Sequence, residues 1–196
     1  MARSIESVDS RLGRAANTAA AFGKALGLIS ATAVVGSLAK IVSNVVTVGD
    51  EIGKTADKIG FGVEARQELR FAADRAGVGQ RTLDLSLQRF SRRIGEAVNG
   101  QGELVKVTDQ YGIALRNADG STRSNVDILG DLADVIAGTA SEQERLRIAF
   151  KAFDSEGAAL VNLLRDGSAG MDDLRARARD LGAVMSEEVV RSAEKA

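Results

Sequence analysis

The chain has 196 residues, with 26 basic and 27 acidic side chains, a formal net charge of −1, and no His, Cys, Trp or Pro. These absences exclude disulfides, thiolate chemistry, the usual zinc sites and His-based catalysis. The balanced charge excludes a bulk electrostatic footprint for nucleic acid. With 44% hydrophobic but only 4% aromatic residues, the core must be built from Ala, Leu, Val and Ile. Such small aliphatic layers suit helix on helix rather than sheets. No proline obliges a helix to stop, so the 21 glycines supply the punctuation. The expectation is a soluble, intracellular, all-α protein.

In chain order, residues 1–52 stand apart. Apolar positions recur at Ile5, Val8, Leu12, Ala16, Ala19, Phe22, Leu26, Ile29, Val34, Leu38, Ile41, Val45, Val48 and Ile52. Thirteen steps cover 47 residues, a mean of about 3.6, the period of a straight α-helix rather than the 3.5 of a left-handed coiled coil. The pattern predicts one long amphipathic helix. At ~1.5 Å per residue it would run roughly 70 Å, longer than a compact domain of this size is wide, so its stripe needs copies of itself or another protein. Within it, residues 25–48 carry a single charge, Lys40, and are long enough to span a bilayer. Ser30, Thr32, Ser37, Ser43, Asn44 and Thr47 dilute that stretch, and Lys40 inside it costs about 2.5–3.5 kcal/mol on insertion. A buried protein–protein helix is the preferred reading and a membrane-inserting helix the alternative. The apolar stretch begins too late and runs too long for a signal peptide.

From residue 53 the chain becomes a glycine-punctuated helical domain. Helices are predicted at Val63–Ala76, closed by Gly77-Val78-Gly79, and at Gln80–Val98, with Leu83, Leu87, Phe90, Ile94 and Val98 on one face. Residues 103–124 read as the least helical stretch. There Tyr111–Arg116 alternates before an Asn117-Ala118-Asp119-Gly120 turn, predicting a small β-hairpin-like insertion near 111–124. Val126, Leu129, Leu132, Ala133 and Ile136 mark a helix closed by Gly138. Ser141–Glu144 is a capping box opening a helix that carries Leu146, Ala149, Phe150 and Phe153. Gly157 precedes an element over Ala158–Leu164, which Asp166-Gly167 and Gly170 should end. A helix over Met171–Leu181 and one capped by Ser186 complete the chain. The last has no stop signal before Ala196, so the protein is expected to continue.

Catalytic candidates are poor. Asp172-Asp173 and Glu187-Glu188 are one residue apart, so each pair diverges on its helix; first-turn positions favour acidic residues through the helix dipole. Gly60-Phe61-Gly62 and Gly77-Val78-Gly79 lack the pattern of a phosphate loop. Arg89, Arg92 and Arg93 share a helix face and could meet phosphate, but without interleaved aromatics a solvated face is preferred. No catalytic, cofactor-binding or metal-ligating residue is expected, and the protein is read as a non-enzyme.

The order of short motifs adds to this. Ala56-Asp57-Lys58-Ile59-Gly60, Glu68–Ala73, Ala76-Gly77-Val78, Leu83-Asp84 and Ile94–Ala97 come first. Tyr111-Gly112-Ile113 with Asp119-Gly120, and then Ile128–Asp134, follow. Ala149-Phe150-Lys151-Ala152-Phe153, Gly157–Leu160 and Leu181–Glu188 complete the series. In that order and at those gaps the chain, over about residues 50–196, resembles the N-terminal region of bacteriophage tail tape measure proteins. One departure is that family members commonly place Gly after the phenylalanine where this chain has Phe153-Asp154-Ser155. The resemblance implies a structural, multimeric, largely helical protein that occupies the tail tube lumen of the virion and sets tube length. Implied partners are further copies of itself in a small parallel bundle, the tail tube protein, tail tip or baseplate proteins, and assembly chaperones in the host cytoplasm. Membrane contact at DNA ejection is a further expectation; sequence-specific nucleic-acid binding is not. The stripe Ile5, Val8, Leu12, Phe22, Leu26, Ile29, Val34, Leu38, Ile41, Val45, Val48 and Ile52 is the expected oligomerisation surface. Any cell-wall-cleaving activity would belong to segments beyond residue 196.

Overall fold

A computed structural model describes residues 60–193. The predicted long helix with its stripe, the 25–48 segment and the last three residues lie outside the described residues. All described residues fall in the unit Gly49–Ala196.

The architecture is helical. In order come α1 (Val63–Arg75), α2 (Gln80–Val98), α3 (Leu104–Tyr111), α4 (Asn125–Gly138) and α5 (Glu142–Phe153). A single 3-10 turn (Asp154–Glu156) leads into α6 (Gly157–Leu164), α7 (Gly167–Asp180) and α8 (Glu187–Ala193). α7 lies against both α1 and α4, α6 folds back on α5, and α2 packs on α3 and α5. One core joins them, built on Leu69, Leu83, Leu87, Phe90, Leu104, Val107, Ile128, Leu129, Leu132, Ile136, Ile148, Phe153, Leu160 and Leu164. A smaller cluster pairs Val63 with Val190 beside Met185.

The α2 boundaries match the periodicity, and its face of Leu83, Leu87, Phe90 and Ile94 is buried, with Ala97 buried in the last turn and Val98 only partly covered. Four expectations are corrected. Residues 104–111 form a helix, because Leu104 and Val107 at i, i+3 both enter the core and Gly112, at φ 69°, closes the turn. With Tyr111 absorbed into that helix, the expected hairpin shrinks to one bridge between Arg116 and Thr122, and no strand forms among the described residues. Its Asp119-Gly120 turn is present, with Asp119 Oδ1 accepting from the Ser121 amide at 2.9 Å.

The third correction is α7, which starts at Gly167 and runs through Gly170, so that glycine does not end an element. Asp134 of α4 caps it from outside: its carboxylate accepts from the Ser168 amide at 2.7 Å and from Ser168 Oγ at 2.9 Å. Consequently Asp172 and Asp173 sit beyond the first turn and pair with Arg175 and Arg177 at 2.8 and 2.7 Å. Last, the apolar pattern of α5 does not distinguish Phe150, which is 45% exposed, from Phe153, which is fully buried.

Only half of the capping box forms. Ser141 Oγ accepts from the Glu144 amide at 3.3 Å, but the Glu144 carboxylate turns away, accepting from Tyr111 Oη at 2.8 Å and from Arg147 at 2.6 and 2.7 Å. Arg147 and then Tyr111 thereby hold Glu144 at a pKa of about 2, down from about 4.5. Glu103 is likewise held at about 2, by Lys106 at 2.8 Å and by Lys151 of α5. Both groups bind protons more weakly folded than unfolded, so their stabilisation is present above about pH 4.5 and is lost as pH falls towards 2. The urea midpoint should therefore fall between about pH 5 and pH 2.5. Glu144→Gln should make that fall shallower; an unchanged slope would remove Glu144 from the account.

Candidate functional site

Charged side chains concentrate along two seams. One closes α1 onto its neighbours. Arg66, only 2% exposed, donates through Nε and Nη2 to Asp84 of α2 at 3.2 and 2.9 Å, and Arg70 Nη2 reaches the same carboxylate at 2.6 Å. Burial pushes the Asp84 carboxyl up, but hydrogen bonds from Arg70 and Arg66 outweigh it and leave the pKa below the ordinary aspartate value. Glu68, 4% exposed, accepts from Arg175 at 2.7 Å and from Arg179, both on α7. Gln67 exchanges two 2.9 Å bonds with the backbone of Met185. These contacts are spent on holding helices together.

The other seam is built around Arg89, Arg92 and Arg93. Their spacing on α2 puts them on one face, where a solvated surface is the preferred expectation; Arg92 is 55% exposed, as expected, while all three also pair with the 3-10 turn Asp154–Glu156. Arg93, largely buried, pairs with Asp154, and Arg92 Nη2 donates to the same carboxylate at 3.2 Å. Arg89 pairs with Glu156 and donates to Ser155 Oγ at 2.8 Å. Arg93 Nε is buried and finds no acceptor among the described residues. Burial raises the Asp154 carboxyl, but the Arg93 hydrogen bond and the charges of Arg93, Arg92 and Arg89 bring it below its ordinary value.

The backbone is unusual at the same place. Asp154 has φ 57° and ψ −140°, making it the one non-glycine residue with positive φ among those described. That region is essentially glycine's, and an L-residue there costs about 1–3 kcal/mol. Asp154 trades backbone comfort for a carboxylate aimed at two guanidinium groups. A cavity of about 740 Å³ opens beside it, lined by Gln88, Arg89, Ser91, Arg92 and Asp154. Ser91, which donates to Leu87 O at 3.0 Å and accepts from Asn125 at 2.8 Å, ties this edge to α4.

The shared face of the arginines is legible in their spacing, whereas their counter-charges on the turn lie about sixty residues away. The expected oligomerisation residues, Ile5 to Ile52, lie outside the described residues. Among the described residues no helix is long and apolar enough to cross a membrane, and no group of three acidic, His or Cys side chains is placed to hold a metal ion. No family model matches the chain, and neither curated proteins nor solved structures yield a match.

Proposed function

We propose that this chain is the N-terminal part of a phage tail tape measure protein, structural rather than catalytic. In this reading it bundles through residues 1–52 and occupies the tail tube lumen of the virion until DNA ejection. The observation that carries it is where the ordered motifs fall in the described domain. Leu69, Ala72, Ala73, Val78, Leu83, Ile94, Ala97, Ile113, Ile128, Leu129, Leu132, Ala133, Ala149, Ala152, Phe153 and Leu160 are buried core. Gly77, Gly112, Gly120 and Gly182 take the positive φ that turns and helix ends need. Many of the residues that carry the resemblance are thus packing and turn residues, as a structural role asks of them.

The stripe supports the same reading. A domain of about 134 described residues should be about 35–40 Å across, whereas a straight stripe would run roughly 70 Å. The large hydrophobics exposed among the described residues are only Leu85, Phe150, Leu181 and Val189. Copies of the stripe are its natural cover, and a Pro-free helix rising ~1.5 Å per residue is a usable ruler. The tube protein, tip proteins and assembly chaperones are the partners this role requires.

Two measurements test the proposal. Light scattering on the full chain should give a small oligomer, and Leu38→Asp with Ile41→Asp should return it to monomer; a wild-type monomer at high concentration overturns bundling. In particles assembled with the protein, deleting eighteen residues inside 5–52 removes five whole turns and keeps the stripe in register. The tail should shorten by roughly 27 Å, and an unchanged tail overturns the ruler.

A second reading, membrane insertion of residues 25–48 at ejection, is favoured by their single charge, Lys40. Flotation of the full chain with liposomes, strengthened by Lys40→Leu, distinguishes it; no flotation by either chain sinks it.

A further inference from the structure

We propose that the Arg89–Arg92–Arg93 face of α2 is a binding site for a phosphate-type oxyanion, held closed in the free protein by the carboxylate of Asp154. The inference does not depend on the tape measure reading.

Three features carry it. First, the arginines converge on a turn rather than on another helix, and the single carboxylate of Asp154 is shared between two of the guanidinium groups, with Glu156 on Arg89 and Glu96 on Arg92 as the other counter-charges. Guanidinium forks match the geometry of phosphate oxygens, and charge-assisted pairs of this kind are the strong ones. Second, Asp154 satisfies the site incompletely: Arg93 Nε stays buried without an acceptor among the described residues. A buried donor left unpaired asks for an explanation; Arg93 does not line the cavity, so a phosphate meets its guanidinium by taking the place of the Asp154 carboxylate, with more oxygens to offer. Third, Asp154 reaches the arginines only from a backbone conformation suited to glycine, so an anion that displaces it also lets the turn relax.

Access is present. The cavity beside the cluster is about 740 Å³, lined by Gln88, Arg89, Ser91, Arg92 and Asp154, and the Gln88 side chain is exposed with an amide donor. A dianion brings one more negative charge than the carboxylate it replaces. Arg92 can follow either partner, since it also pairs with Glu96 at 2.5 Å on its own helix. Asp154 thus acts as an internal stand-in for the ligand.

The test is titration calorimetry on the full chain in chloride buffer at constant ionic strength, with inorganic phosphate and with O-phosphoserine as probes. Asp154→Gly removes the stand-in and places glycine where the backbone favours it. It should bind inorganic phosphate at least tenfold more tightly than wild type, and adding Arg93→Gln should erase that gain. Phosphoserine binding as well extends the site to esterified phosphate, whereas phosphate alone confines it to the free anion; each supports the site. Equal affinity of wild type and Asp154→Gly overturns it. Should Asp154→Gly lose its helical circular dichroism, Asp154→Asn takes its place with a gain of at least threefold, and no gain there overturns the site equally.

Discussion

Replacing Gly157 with alanine should destabilise the protein by about 3 kcal/mol or more, lowering Tm by roughly 10 °C. Helix propensity argues the opposite. Gly157 opens α6 with helical angles, φ −55° and ψ −38°, and an Ala in a helix is normally favoured over Gly by up to about 1 kcal/mol. Sterics decide the sign. A Cβ built on Gly157 would lie 2.5 Å from the carbonyl carbon and oxygen of Ala149 and 2.8 Å from the amide nitrogen of Phe150. Those are backbone atoms inside α5 and have no rotamer to change, so α5 and α6 must move apart. Separating them loosens the contacts of Ala149, Ala152, Phe153 and Leu160, all buried in the core. Thermal unfolding followed by circular dichroism measures the outcome. An unchanged or higher Tm would mean that the two helices do not approach as closely as described.

The second large effect separates two phenylalanines three residues apart. Phe153→Ala should cost about 3–5 kcal/mol, the usual range for emptying a buried aromatic site. Phe153 is fully buried and its ring lies 5.1 Å from that of Phe90, tilted by 36°, so truncation also strips Phe90 of its aromatic neighbour. Phe150→Ala, on the exposed side of α5, should stay within about 0.5 kcal/mol of wild type. Urea midpoints of both variants decide the matter. Comparable losses from the two would place Phe150 in a contact that the described domain does not show.

These two predictions mark where sequence pattern stops. In α2 the apolar spacing of four, three, four agrees with the buried face, because that helix has a single packing side and its polar residues occupy the rest. In α5 the residues Leu146, Ala149, Phe150 and Phe153 also look like one face. The observed buried set is Ile148, Ala149, Ala152 and Phe153, rotated because α5 is covered by α6 on one side and by α2 on another. A sequence window contains no information about which neighbours arrive. The helix over Leu104–Tyr111 was hidden for a related reason: eight residues give only two turns of periodicity, too few to outweigh the glycines at both ends. The start of α7 was hidden because its cap comes from Asp134, more than thirty residues earlier.

The candidate site divides in the same way. That Arg89, Arg92 and Arg93 share a face follows from helical spacing alone. That they meet Asp154 and Glu156, leave one donor without a partner and hold a residue at φ 57° could not be read from spacing, since those contacts span about sixty residues.

The sequence by itself determined the helical class, the positions of most helix ends and the exclusion of disulfide and His-based chemistry. These depend on composition and on contacts within a few residues, where glycine, serine caps and a 3.6-residue period act directly. Only the tertiary structure decided which phenylalanine is core, which glycine lies against the backbone of a neighbouring helix and which acids meet the arginine face. Each of these depends on distances between segments remote in the chain, which folding alone brings to within bonding range.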